Sequence, residues 1–379
     1  MSRTVKVGLI GYAFMGKAHS AAYRDAPIYF PGMKLKPEMT AICGRSKKGV
    51  REAAELYGWE SYETDAMALI GRPDIDVVDI CSPGWAHHDQ VLAAAKAGKH
   101  IICEKPIGNT LAEAKSMADA VREAGVKSCV MFNYRRVPAL ALAREMIKGG
   151  ELGEIRHFRG FYQQDWIADK DFPMVWRLDK DQAGSGTLGD IGSHIIDMSR
   201  FLVGELTDVC GMMKTFIKER PLSTGKKKMG KVTVDDAVAW IGNFDNGAMG
   251  TFEATRFARG RKNRNGFEIY GSKGSLCFDF EDMNRLQFFS VKDKDRLQGF
   301  RDILVTEPGH PYMEGWWPPG HIIGYQHTFV HAIYDFLEAL AKGKSSAPNM
   351  DDGLRVQAVL EAVETSANQR AWVTISDLL

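Results

Sequence analysis

Net charge is almost missing from this chain: 49 Lys and Arg against 48 Asp and Glu leave a formal +1. Whole-chain electrostatics therefore gives nucleic acid nothing to bind. Cysteine is scarce and scattered at 43, 81, 103, 129, 210 and 277, with no CxxC pair and no Cys/His cluster at zinc-finger spacing, which excludes the common structural zinc modules. Cys43, Cys81, Cys103 and Cys129 lie in short apolar runs, the pattern of buried reduced thiols in a reducing compartment. No hydrophobic run approaches the roughly 18 residues of a membrane span. The N-terminus has Arg3 and Lys6 before VGLIGYAFMG but no clean small-residue cleavage site, so it reads as structure and not as a signal peptide. These absences describe a cytoplasmic chain with no membrane and no nucleic-acid partner. Internal repeats are lacking, and the one low-complexity patch, GKKKMGK (225–231), reads as a solvated loop.

What is present is ordinary globular material: 45% hydrophobic and 26% charged residues over 379 positions. That is enough apolar mass for a core and too much for disorder, and the length fits two to three domains. The first third alternates apolar runs (4–10, 39–43, 76–81, 99–103, 127–132) with helical stretches (15–24, 46–57, 86–97, 110–124). Continuous apolar strands in β-α-β-α order predict a doubly wound parallel sheet covered on both faces. After residue 135 the rhythm changes. Helices at 138–148 and 189–203 and a strand at 155–163 precede alternating runs at 206–217, 232–242, 247–255, 266–271, 274–280 and 285–290. Asp245-Asn246-Gly247 is hairpin chemistry, so this part predicts a mostly antiparallel open sheet within an α+β domain, closed by helices at 324–342 and 351–370. The expected division is 1–130 for the first domain and 131–379 for the second.

The first turn reads Gly11-Tyr12-Ala13-Phe14-Met15-Gly16, a G-x-G-x-x-G pattern with alanine in the middle, following a strand and opening a helix. In that setting Gly11 makes the tight turn, Ala13 lets backbone approach a pyrophosphate, and Gly16 lets helix pack on strand, while free N–H groups at Phe14 and Met15 face the phosphates. A dinucleotide, NAD or NADP, is the expected cofactor. The second strand ends in Cys43-Gly44-Arg45-Ser46, without the acidic residue that binds the ribose of NAD. Arg45 and Ser46 either accommodate a 2′-phosphate or stack on adenine.

Two further strand ends carry Cys81-Ser82-Pro83-Gly84-Trp85-Ala86-His87 and Glu104-Lys105-Pro106, and a later segment reads Gly189-Asp190-Ile191-Gly192-Ser193-His194. Strand–Glu-Lys-Pro after a dinucleotide fold, followed by Asp-x-x-x-His, resembles the Gfo/Idh/MocA family of oxidoreductases over the whole chain. FNYRR (132–136), QDW (164–166), WR (176–177) and Glu253–Arg256 are most similar to its levoglucosan- and inositol-dehydrogenase branch. The resemblance implies that Ser82, Pro83, His87, Glu104 and Lys105 line the cofactor. It also implies that the open sheet face makes a homodimer or homotetramer.

Oxidising a secondary alcohol needs a hydride acceptor, a base and a group that polarises the oxygen. Lys105 lies past a strand's C-terminal end, where such folds place ligands. Asp190 and His194 are four residues apart and share a helix face. His194, which titrates near neutral pH, is the candidate base, and Asp190 binds the substrate or orients the imidazole. No third ligand at suitable spacing supports a metal here, and Asp197 reads as structural. Sugars are recognised by polar groups beside apolar faces, for which Tyr134, Asp165, Trp166 and Arg177 are candidates, with His321 after the unusual Trp316–Gly320 run. The basic stretch Arg256–Arg264 reads as a subunit contact or solvated loop. The expected activity is NAD(P)-dependent oxidation of a ring hydroxyl of a pyranose or cyclitol. Two alternatives stay open: redox-neutral glycoside cleavage through a transient keto-sugar, and a non-enzymatic dinucleotide sensor.

Overall fold

In a computed structural model that describes residues 3–222 and 228–379, the apolar runs of the first third become strands with helices between them. They are β1 (Arg3–Ile10), α1 (Phe14–Tyr29), β2 (Leu35–Cys43), α2 (Lys47–Tyr57), β3 (Ser61–Glu63), α3 (Ala66–Ile70), β4 (Val77–Ile80), α4 (His87–Lys96), β5 (His100–Cys103), α5 (Leu111–Ala124) and β6 (Ser128–Val130). The sheet order β3-β2-β1-β4-β5-β6 is parallel throughout, and its order reverses between β1 and β4, the switch point at which doubly wound sheets bind ligands. β4 is buried along its whole length, as a strand covered on both faces must be. α1 continues five residues past the expected Arg24, through Pro27, because Ala22, Tyr23 and Ala26 prolong its buried face. β3 and α3 are too short to announce themselves by periodicity.

The rest of the chain supplies α6 (Pro138–Lys148), β7 (Ile155–Gln163), α7 (Lys180–Ala183), α8 (Ser193–Leu202), β8 (Leu206–Lys214), β9 (Glu219–Pro221), β10 (Met229–Lys231), β11 (Ala237–Phe244), β12 (Met249–Thr255), β13 (Arg264–Gly271), β14 (Gly274–Asp279), β15 (Arg285–Ser290), β16 (Arg301–Leu304), α9 (Tyr325–Ala341), α10 (Met350–Gln369) and β17 (Val373–Thr374). A nine-stranded sheet runs β16-β15-β14-β13-β7-β12-β11-β8-β17, antiparallel except where β7 meets β12. Its inner face buries Phe158, Trp240, Phe252 and Phe267, with Trp240 and Phe252 stacked across the β11–β12 pair at 4.9 Å. The other face leaves Met212, Ile241, Met249 and Tyr270 exposed. Of the lysine-rich patch, Gly225–Lys227 lies outside the described residues. Met229–Lys231 is no loop but pairs with Glu219–Pro221 as a two-stranded ribbon.

Contacts divide the chain into Met1–Arg136 with Ile323–Leu354, and Val137–Ile322 with Arg355–Leu379. This departs from a single boundary at 130. The reason is α9, whose Phe329, Ile333, Phe336 and Leu337 are buried in the first unit: Phe30 stacks on Tyr334 at 4.2 Å, and the Gln326 amide donates to the Ala18 carbonyl at 2.9 Å. All six cysteines are free thiols. Among the described residues no helix is long and apolar enough to cross a membrane.

Candidate active site

The first unit holds the glycine turn at the switch point. Gly11 has φ +103°, and a Cβ there would lie 2.6 Å from the Cys81 carbonyl oxygen. A Cβ at Gly16 would lie 1.9 Å from the Gly11 carbonyl oxygen. Both positions therefore demand glycine. Ala13, with φ −75°, caps α1 in an extended conformation open to any L-residue, so the missing middle glycine costs the backbone nothing. Replacing Gly16 with Ala is expected to overpack the turn by about 1–3 kcal/mol, weakening dinucleotide binding about ten- to a hundredfold; titration calorimetry with NADH measures it, and an unchanged Kd contradicts the assignment.

Around this turn the expected cofactor residues divide into two kinds. Phe14 and Met15 open α1, and the exposed Phe14 ring stacks on Tyr325 at 6.3 Å. Arg45 sits over the Trp85 ring at 5.8 Å, and Pro83 precedes the short turn that carries Trp85. The Ser46 hydroxyl accepts from the Gly49 N–H as the cap of α2, and that of Ser82 donates to Gln90 at 2.7 Å. His87 is buried, with its ring nitrogens 2.8 Å from the Ser82 carbonyl and 3.1 Å from that of Pro106, and burial lowers its pKa. His87 thus ties two strand-end loops together.

Glu104 is buried as well, and its partner went unread in the sequence. His19 of α1 lies between two carboxylates, its Nδ1 2.8 Å from Asp79 and its Nε2 3.1 Å from Glu104. The Tyr23 hydroxyl donates to the same Asp79 at 2.8 Å, and the other Glu104 oxygen accepts the Lys105 N–H at 3.1 Å. Burial disfavours a charged imidazole, but the Asp79 carboxylate outweighs it and holds the His19 pKa well above the ordinary value. An imidazolium donates to both sides. His19, Asp79 and Cys81 also bring ligand atoms within 4.8 Å of one another. The hydrogen bonds among them account for that proximity, since burial pushes the Cys81 thiol up and keeps it protonated. The sequence signal was the spacing of Gly16, His19, Ser20 and Tyr23 on the buried face of α1. Tyr134 is buried near Tyr325, ring to ring at 6.3 Å; burial, then Tyr134 and Glu104, raise the pKa of Tyr325.

The second unit presents Asp190 and His194. Residues Leu188–Gly192 form a π-helical turn leading straight into α8, a feature frequent at functional sites. Asp235 fixes that turn: its carboxylate accepts the N–H groups of Gly186 and Leu188, each at 2.8 Å. Burial pushes the Asp235 carboxyl above its usual range, with Arg256 and these N–H groups opposing. Asp190 pairs with the Arg256 guanidinium at 3.4 Å. His194 is 7% exposed, its ring 5.9 Å from that of Tyr162, and Asp197 is buried.

Of the other expected sugar contacts, Trp166 donates its indole N–H to Gln164 at 3.0 Å. Asp165 is bound by Lys262 at 2.7 Å and by the Gly260 N–H at 3.0 Å, which hold its carboxyl below the usual range. Arg177 lies over Trp176 at 4.4 Å. His321 stays on its exposed loop, Nδ1 2.8 Å from the Pro318 carbonyl. The basic stretch departs from expectation at Arg256, which is fully buried. Arg259 through Lys262 remain exposed, yet Arg259 and Lys262 pin the 165–168 segment.

Residues 5–133 match the family model described as "Oxidoreductase family, NAD-binding Rossmann fold", and residues 140–277 match the "GFO/IDH/MocA C-terminal domain". A levoglucosan dehydrogenase from Pseudarthrobacter phenanthrenivorans is 44% identical over 99% of this chain and 99% of its own. The chain belongs to the Gfo/Idh/MocA oxidoreductase family. Among solved structures, an oxidoreductase domain protein from Kribbella flavida is 52% identical, with TM-score 0.96 over 99% of this chain and 100% of that one. A levoglucosan dehydrogenase in complex with NADH and levoglucosan is 45% identical, with TM-score 0.95 over 98% of this chain and 100% of its own. As a member of the Gfo/Idh/MocA family the protein is an oxidoreductase with an NAD-binding Rossmann domain. The cradle at Gly11 and Gly16, which no side chain can enter, fits a dinucleotide pyrophosphate.

Proposed function

We propose that this enzyme is a dehydrogenase that oxidises a ring secondary hydroxyl of a pyranose sugar or cyclitol with NAD, levoglucosan and related anhydro-sugars first among its substrates. The observation that carries the reading is the Asp190–His194 turn, held by Asp235 and Arg256 next to the Trp166 ring. It gives one unit a hydrogen-bond acceptor, a base and an apolar surface of the kind a sugar ring requires. Bound NAD supplies the hydride acceptor. Lys105 donates a hydrogen bond to the substrate oxygen and polarises it, Asp190 accepts from the substrate, and His194 takes the hydroxyl proton on a ring nitrogen. The 45% identical levoglucosan dehydrogenase solved with NADH supports NAD over NADP. The reading is tested by reduction of NAD, and separately NADP, across levoglucosan, inositols, glucose and simple glucosides. Reduction with one class supports it. Bound cofactor with no reduction, together with release of an aglycone, replaces it with redox-neutral glycoside cleavage.

The homodimer or homotetramer implied by the resemblance is assigned to the exposed sheet face. Ile241→Lys, placed in the centre of that face, is expected to lower the mass measured by light scattering, and an unchanged mass moves the interface elsewhere.

A further inference from the structure

Arg256 follows β12 in a stretch that looks like a solvated basic loop, yet its side chain is wholly buried. Its Nε donates to the Thr187 hydroxyl at 3.1 Å and one Nη to the Asp235 carbonyl at 3.3 Å, while the other Nη pairs with Asp190 at 3.4 Å. The guanidinium carbon lies 5.5 Å from the centroid of the Trp166 ring. One planar cation thus bonds in its plane to the turn that carries Asp190 and lies against an indole. The segment that carries this indole is held as well. Buried Arg220 donates to the carbonyls of Ile167 at 2.6 Å and Asp169 at 2.7 Å, and Phe172 meets the Trp166 ring edge-on at 5.3 Å.

We propose that Arg256 is a positioning residue for the dehydrogenation, aiming the Asp190 carboxylate at the sugar and supporting Trp166 as the surface on which the sugar ring rests. The proposal rests on the assignment of Asp190 and Trp166 to the substrate site. It separates two functions of one side chain. The charge serves Asp190 and is conserved by lysine. The plane serves Trp166, and lysine lacks it.

The test is steady-state kinetics of sugar oxidation at saturating NAD for Arg256→Lys, Arg256→Met, Asp190→Asn and the double variant Arg256→Met/Asp190→Asn. NADH affinity is measured alongside as a check on the fold, and Arg256→Lys serves should the methionine variants not fold. Arg256→Lys is expected to raise the KM for sugar about tenfold through loss of the planar guanidinium beside Trp166, with kcat within about threefold of the parent. The double variant is expected to have a kcat no lower than that of Asp190→Asn alone, since groups that act through one another are not additive, while its KM carries the loss of the plane beside Trp166. A merely structural arginine gives the opposite pattern: an unchanged KM in Arg256→Lys, or kcat losses that multiply in the double variant, overturns the proposal. Full activity in Asp190→Asn overturns the underlying assignment of Asp190 instead, and is recognised by that single variant without reference to Arg256.

Discussion

Replacing His194 with Ala is expected to lower kcat for sugar oxidation by roughly 10²–10⁴-fold, the usual worth of a positioned general base. The side chain is buried against Tyr162 at the start of α8, where the π-helical turn and α8 hold it four residues after Asp190. Asp190 is engaged by Arg256 and does not stand in for the imidazole. The NADH Kd is expected to stay within about threefold of the parent, since the glycine cradle belongs to the other unit. Lys105→Ala is expected to cost about as much, and the double variant about no more than the worse single, as for groups that serve one step. Steady-state rates at saturating NAD measure all three. Near-parental turnover in His194→Ala removes it as the base.

The second large effect concerns stability. His19→Gln is expected to destabilise the first unit by about 3–5 kcal/mol, the cost of removing one partner from a buried ionic network. Asp79 and Glu104 would then face each other's charge inside the core without the imidazolium between them. The pH dependence follows from the raised His19 pKa. A group that binds its proton more tightly when folded adds its full stabilisation below the unfolded value, about 6.5 for histidine, and loses it as pH rises through the folded value. The parent is therefore expected to lose stability on the alkaline side as His19 deprotonates, a decline missing from His19→Gln. Denaturant midpoints from pH 6 to pH 10 measure both, and parallel curves for the two proteins contradict the network.

Much of this architecture can be read along the chain because it is local. Apolar runs such as VVDI and HIIC are strands by composition, and the glycines at 11 and 16 mark a turn whose geometry needs only neighbouring residues. The alanine at 13 stands where the pattern has glycine at no cost, because that backbone lies in the ordinary extended region. What escaped the sequence depends on contacts between distant positions. His19 meets Asp79 and Glu104 across 60 and 85 residues, and Arg256 reaches Asp190 across 66. A basic stretch gives no sign that one of its arginines points inward. The π-helical turn was hidden for a related reason: Asp-x-x-x-His has the same spacing on an α-helix, and the Asp235 that clamps Gly186 and Leu188 lies 49 and 47 residues away. α9 likewise reads as a plain closing helix until its apolar face is found in the first unit.

The most direct test of the central claim is to follow the hydrogen itself. Levoglucosan carrying deuterium at its ring carbons is incubated with the enzyme and NAD, and both cofactor and sugar are analysed by mass spectrometry. A ring-alcohol dehydrogenase puts one deuterium into the reduced cofactor for each keto-sugar formed. Cofactor that stays unlabelled and oxidised while the sugar is recovered intact or cleaved, its ring hydrogen returned to carbon, contradicts that claim.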